Sequence, residues 1–262
     1  MRVVIYVLTL MLAWIPPVVA QQPEAPTIVI VHGAWGGSWG WREMESLLEG
    51  MGHKVYRPSL TGLGERFHLA SPEIDLDVHI NDVVNVIEFE ELQDIVLLGH
   101  SYGGMVVTGV AERVPERIRH LVYLDAFVPF NGESLASSQG KTMSEYMTDW
   151  AKQGALDRPG YVTPSRVPPP DSPAPRDVPQ PIRTVTETIH LSGKPGNGLP
   201  VSYIHTRETP GAEDSFDRYA DRARELGWTM YEMIADHSPN RSKPEELAKL
   251  LTEICQGKLP ND

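Results

Sequence analysis

The stretch Asp94-Ile-Val-Leu-Leu-Gly-His-Ser-Tyr-Gly-Gly-Met105 sets Ser101 in a Gly-x-Ser-x-Gly pentapeptide between a short apolar run and an apolar helix. This is the sequence form of a nucleophile elbow, in which a strand turns sharply into a helix and holds the serine Oγ exposed in a strained conformation. Only glycines let the two elements approach so closely, and Gly99 and Gly103 supply them. The pentapeptide alone is a weak signal, because Gly and Ser are common loop residues. Its context strengthens it: Ile95 to Leu98 reads as a fully buried parallel strand and Met105 to Val114 as a largely apolar helix.

Working outward, apolar runs alternate with helical periods. Strands are expected at Thr27 to Val31, Lys54 to Arg57, Ile95 to Leu98, Arg119 to Leu124, Val201 to His205 and Thr229 to Ile234. Helices are expected at Trp41 to Met51, Val78 to Phe89 and Asp214 to Leu226, with a last one from about Lys243. Ser242 is expected to cap that last helix and Glu245 to complete a capping box, with Leu247, Leu250, Leu251 and Ile254 as its buried stripe. Such alternation predicts an α/β fold, a mostly parallel sheet of about six strands with helices on both faces. Between Pro129 and Pro200 the alternation stops, and nine prolines fall between Arg158 and Ile182. Because the sheet pattern resumes afterwards, residues of about 130–199 read as an inserted cap rather than a linker. Met143, Tyr146, Met147 and Trp150 recur there at helical spacing, an apolar face suited to packing or to roofing a pocket.

Arg2, the apolar run Val3 to Ile15 and the small-residue exit Val18-Val19-Ala20 read as a cleaved secretory signal over residues 1–20. The run is short for a membrane span of about 20 residues, and Pro16-Pro17 breaks it. The mature chain then starts at about Gln21, in the periplasm or the medium, with no stable membrane association; 262 residues less 20 leave 242, enough for one domain. The net charge is −12, or −13 once Arg2 is removed, spread along the chain, which argues against nucleic acid and anionic membranes as partners. Cys255, alone, forms no internal disulfide and reads as a small hydrophobe under the last helix. Among nine histidines no HxxxH or HExxH spacing occurs, so no metal site is expected. Nothing in the sequence fixes an oligomeric state.

A serine hydroxyl becomes a nucleophile only when a base takes its proton, so Ser101 requires a histidine held by an acid. In elbow-type chains the order is Ser, acid, His, with the histidine after the last strand. His237 fits, while His190 and His205 precede that strand. The oxyanion needs two preorganised donors. The amide of Tyr102 is one candidate; the other is the amide of Ala34, in the His32-Gly33-Ala34 turn after the first strand, with His32 itself structural.

With these motifs, His32-Gly-Ala-Trp-Gly-Gly-Ser-Trp-Gly-Trp41, Gly52-His-Lys-Val, Leu124-Asp-Ala-Phe-Val-Pro129 and Ser242-Lys-Pro-Glu-Glu-Leu247, the chain resembles the plant methylesterase and hydroxynitrile lyase group of α/β-hydrolases. It is more similar still to bacterial esterases of that group, which share Leu60-Thr-Gly-Leu-Gly-Glu-Arg66. The resemblance implies an α/β-hydrolase fold with a small cap, a Ser-His-acid esterase and no cofactor. Lyases of the group carry threonine in place of Gly33 and lysine in place of Ser238, and both departures argue against cyanohydrin cleavage. The group's usual aspartate, in a Glu-Asp pair after the strand Val201 to His205, is replaced by Glu208-Thr209. Asp125 stands instead at the end of the strand following the nucleophile's helix. Asp125 is therefore preferred as the acid and Glu208 kept as the alternative.

The expected substrate is a small to medium apolar ester. An amide, carbamate or lactone stays open, since all pass through the same tetrahedral intermediate, and so does a non-catalytic ligand-binding protein on the same fold. Dehalogenase and epoxide hydrolase chemistry would need an aspartate nucleophile where Ser101 stands.

Overall fold

The computed structural model of the chain describes residues 25–260 apart from Ser165, Pro170 and Ala212, so the expected signal segment and the expected start at Gln21 lie outside the described residues. The chain runs through β1 (Ile28–Val31), α1 (Arg42–Gly50), β2 (Val55–Tyr56), α2 (Leu76–Phe89), β3 (Ile95–His100), α3 (Gly103–Arg113) and β4 (Ile118–Leu124). There follow α4 (Leu135–Ser138), α5 (Met143–Lys152), β5 (Tyr161–Val162), β6 (Gln180–Pro181) and α6 (Arg183–Thr186). The main pattern then resumes with β7 (Val201–Arg207), α7 (Asp217–Glu225), β8 (Thr229–Ile234), α8 (Pro239–Ser242) and α9 (Pro244–Cys255). Six strands form one parallel sheet in the order β2-β1-β3-β4-β7-β8, while β5 and β6 pair antiparallel apart from it. The α/β-hydrolase expectation of about six parallel strands is met.

The two faces of the sheet separate by residue parity, because successive strand side chains point in opposite directions. Val29, Val31, Leu97, Leu121, Tyr123 and Tyr203 pack with α2, α3 and α7 in one apolar cluster. Ile28, Ile30, Val96, Leu98, Val122 and Ile204 pack with α1 and α9 in the other. Burial on both faces is why β1 and β3 are continuous apolar runs. Cys255 lies in the second cluster, where burial pushes its thiol up to about 12.

From β1 the chain steps outward to β2, then returns to the other side of β1 as β3. The loops leaving the carboxyl ends of β1 and β3 therefore part at a topological switch point, the place where open α/β sheets form a binding crevice. One loop carries Gly33 and Ala34; the other carries Ser101.

Several boundaries differ from the sequence expectation, two of them for a reason visible in the hydrogen bonds. Helix α2 starts a half-turn early, at Leu76, because Asp75 caps it by accepting from the Val78 amide. The last helix is not capped by Ser242: that hydroxyl donates to Asp236 Oδ1 at 2.7 Å and belongs to the separate short helix α8. Pro244, at the first position of α9, lacks an N–H and so removes one donor a cap would serve. On α5, Tyr146 is buried and Trp150 packs on Tyr146 and Trp35, while Met143 at the helix start is exposed. Among the described residues no helix is long and apolar enough to cross a membrane.

Candidate active site

Ser101 sits between β3 and α3 with φ 54°, the left-handed region a non-glycine residue rarely occupies. Backbone bonds hold it there: its amide donates to Leu124 O at 3.2 Å, and its carbonyl accepts from Gly104 N at 3.0 Å. The glycines act by close approach. A Cβ on Gly103 would lie 2.5 Å from Val31 O, one on Gly99 2.7 Å from Gly103 O, and one on Gly104 2.2 Å from Phe127 O. The third of these was not anticipated.

Asp125, at the end of β4, is buried and also has a positive φ, 42°. Its amide donates to Ile204 O at 2.8 Å and its Oδ1 accepts from the Thr206 amide at 3.3 Å. Its Oδ2 lies 2.6 Å from Nδ1 of His237, in the loop after β8. With Nδ1–H donated to the carboxylate, Nε2 carries the lone pair of the neutral ring. His237 and Ser101 line the same cleft. Glu208 is exposed, one residue past β7, and makes none of these contacts. The geometry thus brings together Ser101, His237 and Asp125 and leaves Glu208 out.

Two further residues hold His237, and sequence reasoning missed both. His100 donates from Nε2 to the His237 carbonyl at 2.7 Å, and burial, reinforced by the His237 charge, pushes its pKa down to about 3, so it stays a neutral donor. The Phe216 ring stacks on the His237 ring at 4.5 Å. His100 lies inside the quoted elbow motif; nothing in the sequence signals Phe216.

Across the cleft, the β1 loop is pressed on the elbow: a Cβ on Gly33 would lie 3.2 Å from Ser101 Cβ. Ala34 lines the cleft, and Tyr102 follows the serine at the start of α3, where amides point outward and the helix dipole favours negative charge. His32 is structural, as expected. Its Nδ1 contacts Gly33 O at 2.7 Å and its Nε2 accepts from the Leu60 amide at 3.1 Å, fixing this turn to the Leu60–Arg66 segment. The next residue, Trp35 (φ 63°), is clamped from the far side: its amide donates to Gln180 Oε1 at 2.9 Å, its Nε1 to Val162 O at 3.0 Å, and its carbonyl accepts from Val178 N at 2.9 Å. Fully buried Gln180, from β6, is another residue the sequence did not reveal.

The cleft is narrow, about 80 Å³, and polar groups dominate its lining: Arg166, Asp177, Asn240 and Arg241 join the catalytic candidates, with Trp41 and Ala34 as apolar exceptions. Neither of the weaker candidate bases lines it: His190 is exposed, and His205 is buried in β7. Asp125, His205 and Asp214 bring ligand-type atoms within 4.8 Å of one another behind the cleft, although no metal spacing appears in the sequence. Both Asp125 oxygens already accept hydrogen bonds, and burial lowers the His205 pKa.

A strained serine at the β3–α3 turn, a histidine after the last strand and six parallel strands define a recognisable class, and the sequence profile of the alpha/beta hydrolase family matches residues 28–250. The chain belongs to that family. Among alpha/beta hydrolases, a carbendazim hydrolyzing esterase of Nocardioides sp. (strain SG-4G) is 52% identical over 115 residues, 44% of this chain and 48% of the relative. Putative methylesterase 13 of Arabidopsis thaliana is 24% identical over 259 residues, 90% of this chain and 57% of the relative. The chain spans about half the length of these curated relatives. An extracellular alpha/beta-hydrolase from a Paenibacillus species, described as sharing structural and functional homology with tobacco salicylic acid-binding protein 2, superposes with a TM-score of 0.71 at 25% identity, covering 87% of this chain and 98% of the other.

Proposed function

We propose that this alpha/beta hydrolase is a serine carboxylesterase for small esters, with Ser101 as nucleophile, His237 as general base and acid, and Asp125 as the orienting acid. The observation that carries the reading is the 2.6 Å contact from His237 Nδ1 to buried Asp125, in a cleft shared with Ser101 in its strained turn. In the first half-reaction the Ser101 Oγ–carbonyl bond forms while His237 Nε2 takes the hydroxyl proton. The carbonyl electron pair moves to oxygen and meets the amides of Ala34 and Tyr102. Collapse of the intermediate breaks the bond to the alcohol, which leaves with the proton from His237. Water then attacks the acyl-enzyme by the same route, releasing the acid and restoring Ser101. Asp125 keeps its negative charge throughout and holds the ring in the tautomer that presents a lone pair to the serine.

A cleft of about 80 Å³ suits the few atoms around a scissile ester, whereas drug-sized ligands need about 300 Å³ or more. Its polar lining does not support the apolar preference expected from sequence. A side chain at Gly33 would crowd Ser101 Cβ at 3.2 Å and His100 Nδ1 at 3.1 Å, so this turn is built for glycine, not for the threonine of the lyases, which supports hydrolysis over cyanohydrin cleavage. A pure binding protein would gain nothing from a serine held at φ 54°. The relative named for hydrolysing carbendazim makes that compound the first non-standard substrate to try.

Ser101→Ala is expected to lower p-nitrophenyl acetate hydrolysis by several orders of magnitude, leaving what the oxyanion donors and binding supply. Failure of a fluorophosphonate to label Ser101, or wild-type-like turnover in the variant, would overturn the reading.

The residues of about 130–199 are read as the cap over this site. Export is the companion proposal, supported by the character of residues 1–20 and by the extracellular relative. N-terminal sequencing of the protein from its host should begin at about Gln21; an intact Met1 would refute it.

A further inference from the structure

Two arginines from distant parts of the chain line the cleft that holds Ser101: Arg166, in the proline-rich stretch between β5 and β6, and Arg241, in α8. Each guanidinium stands over a tryptophan of the β1–α1 loop, Arg166 at 4.4 Å from the Trp35 ring and Arg241 at 4.8 Å from the Trp39 ring. Stacking of this kind preorganises an arginine's planar fork while leaving its N–H edge free to bind. Arg241 is also packed onto Gly40, where an added Cβ would lie 3.2 Å from its Nη2.

The pairing pattern leaves both forks open. Arg57, Arg66 and Arg222 are each matched to a carboxylate, Glu45, Asp82 and Glu133. Among the described residues, neither Arg166 nor Arg241 takes part in such an ion pair. Arg42, Arg158 and Arg218 likewise form no such pair but lie outside the cleft, so it is the position beside Ser101 and the stacking on Trp35 and Trp39 that single out Arg166 and Arg241. The guanidiniums are close enough to interact: burial lowers the Arg166 pKa, the Asp177 carboxylate in the same cleft raises it, and the Arg241 charge lowers it again. Asp177 offsets one of the two arginine charges, leaving one positive charge among these three cleft-lining side chains, while the carboxylate of Asp125 is engaged by His237 Nδ1.

We propose that Arg166 and Arg241 form an anion-recognising subsite beside Ser101, which selects esters carrying a carboxylate or equivalent oxyanion on the part of the substrate outside the scissile carbonyl. The proposal rests on the esterase reading for its catalytic consequence, but the anion site itself does not need turnover. Two forked donors fit one carboxylate, and Asp177 disfavours a second negative charge, so the subsite prefers a monoanion to a dianion. Both arginines are exposed, so the preference is modest and salt-sensitive, about tenfold at low ionic strength and shrinking as salt screens it.

The test compares kcat/KM for two matched pairs, mono-p-nitrophenyl succinate against p-nitrophenyl pentanoate and 4-acetoxybenzoate against 4-tolyl acetate. These place the carboxylate on the acyl and alcohol sides respectively. Wild type should favour the anion in at least one pair by about tenfold, and the ratio should fall towards one in 0.5 M salt. In an Arg166→Gln/Arg241→Gln double variant with an unchanged thermal midpoint, the ratio should be near one without added salt. An equal ratio in both wild-type pairs, or a preference that survives the double substitution, overturns the proposal. A second readout separates it from the esterase reading: benzoate should perturb tryptophan fluorescence in Ser101→Ala, through Trp35 and Trp39, and should not do so once both arginines are replaced. Benzoate binding with this dependence but no ester hydrolysis would discard the esterase and keep the anion site. Absence of the benzoate response discards the anion site.

Discussion

Ser101 and Asp125 hold the same uncommon backbone state, φ 54° and 42°, at the carboxyl ends of the neighbouring strands β3 and β4. Each such residue costs on the order of 1–3 kcal/mol and persists only where the surroundings over-determine it. Here the surroundings are backbone bonds, Ser101 N to Leu124 O and Asp125 N to Ile204 O, so sheet register itself aims both side chains past the strand ends. Asp125 is therefore expected to act on the rate. Asp125→Asn, which can present the wrong tautomer to His237, should lower kcat by on the order of 10⁴, whereas Glu208→Gln should be nearly silent. Measured beside the thermal midpoint, a variant that loses stability but keeps its rate would reduce Asp125 to a turn residue. The serine, the histidine and the departure at Glu208-Thr209 were legible because each sits at a fixed place in a strand–loop pattern. His100 and Phe216, which hold His237 from two sides, were not, because a histidine inside a motif and a lone phenylalanine in a loop carry no period and no spacing.

At the scale of elements, the loop that carries Ala34 is held between two parts of the chain it does not adjoin. His32 ties it to the Leu60–Arg66 segment, and Gln180, Val162 and Val178 tie Trp35 to the β5–β6 region. The β1 loop is thus only as well placed as the insertion beside it. Gln180→Ala would leave the half-buried Trp35 amide without its acceptor, a loss of about 1–3 kcal/mol of stability. If the oxyanion donors move with it, kcat should fall by about 10- to 100-fold with a smaller change in KM, since donors matter most once charge develops. Unchanged kcat in a folded Gln180→Ala protein would separate the insertion from catalysis. The main sheet and its helices could be read from periodicity, because burial on both faces writes continuous apolar strands. The insertion could not: its β5 and β6 strands are two residues each, and the Gln180 contact to Trp35 spans 145 positions. The misplaced cap of α9 has the same origin, a Ser-x-x-Glu pattern whose serine was already engaged by Asp236.

For the molecule as a whole, the buried histidines give stability a definite pH dependence. Burial pushes His100 down to about 3 and His79 down to about 4, and it lowers His32 as well. All three are engaged as neutral rings: His79 bonds the Tyr102 hydroxyl and Thr61 O, at 2.9 Å each, and His32 accepts from Leu60 N. In the unfolded chain these rings titrate near the ordinary value of about 6.5. Above that pH neither state binds the protons and stability is level. Below it the unfolded chain takes up protons that the folded chain refuses, so stability falls as pH drops through the window from about 6.5 towards 4 and 3. Each refused proton contributes a slope of about 1.4 kcal/mol per pH unit, so His100 and His79 together give about 3 kcal/mol per unit in the upper part of the window. The two can remove about 8 kcal/mol in all by pH 3, so for a total stability in the lower half of the usual range of about 5–15 kcal/mol, acid unfolding should fall roughly two to four units below neutrality. Urea midpoints should therefore be flat from pH 8 to 7 and fall steadily below 6. His100→Gln keeps an N–H for the His237 carbonyl but does not titrate, and it should make the fall shallower by about one such increment. Equal midpoints at pH 7 and 5, or an unaltered slope in His100→Gln, would mean that these histidines accept protons in the folded state.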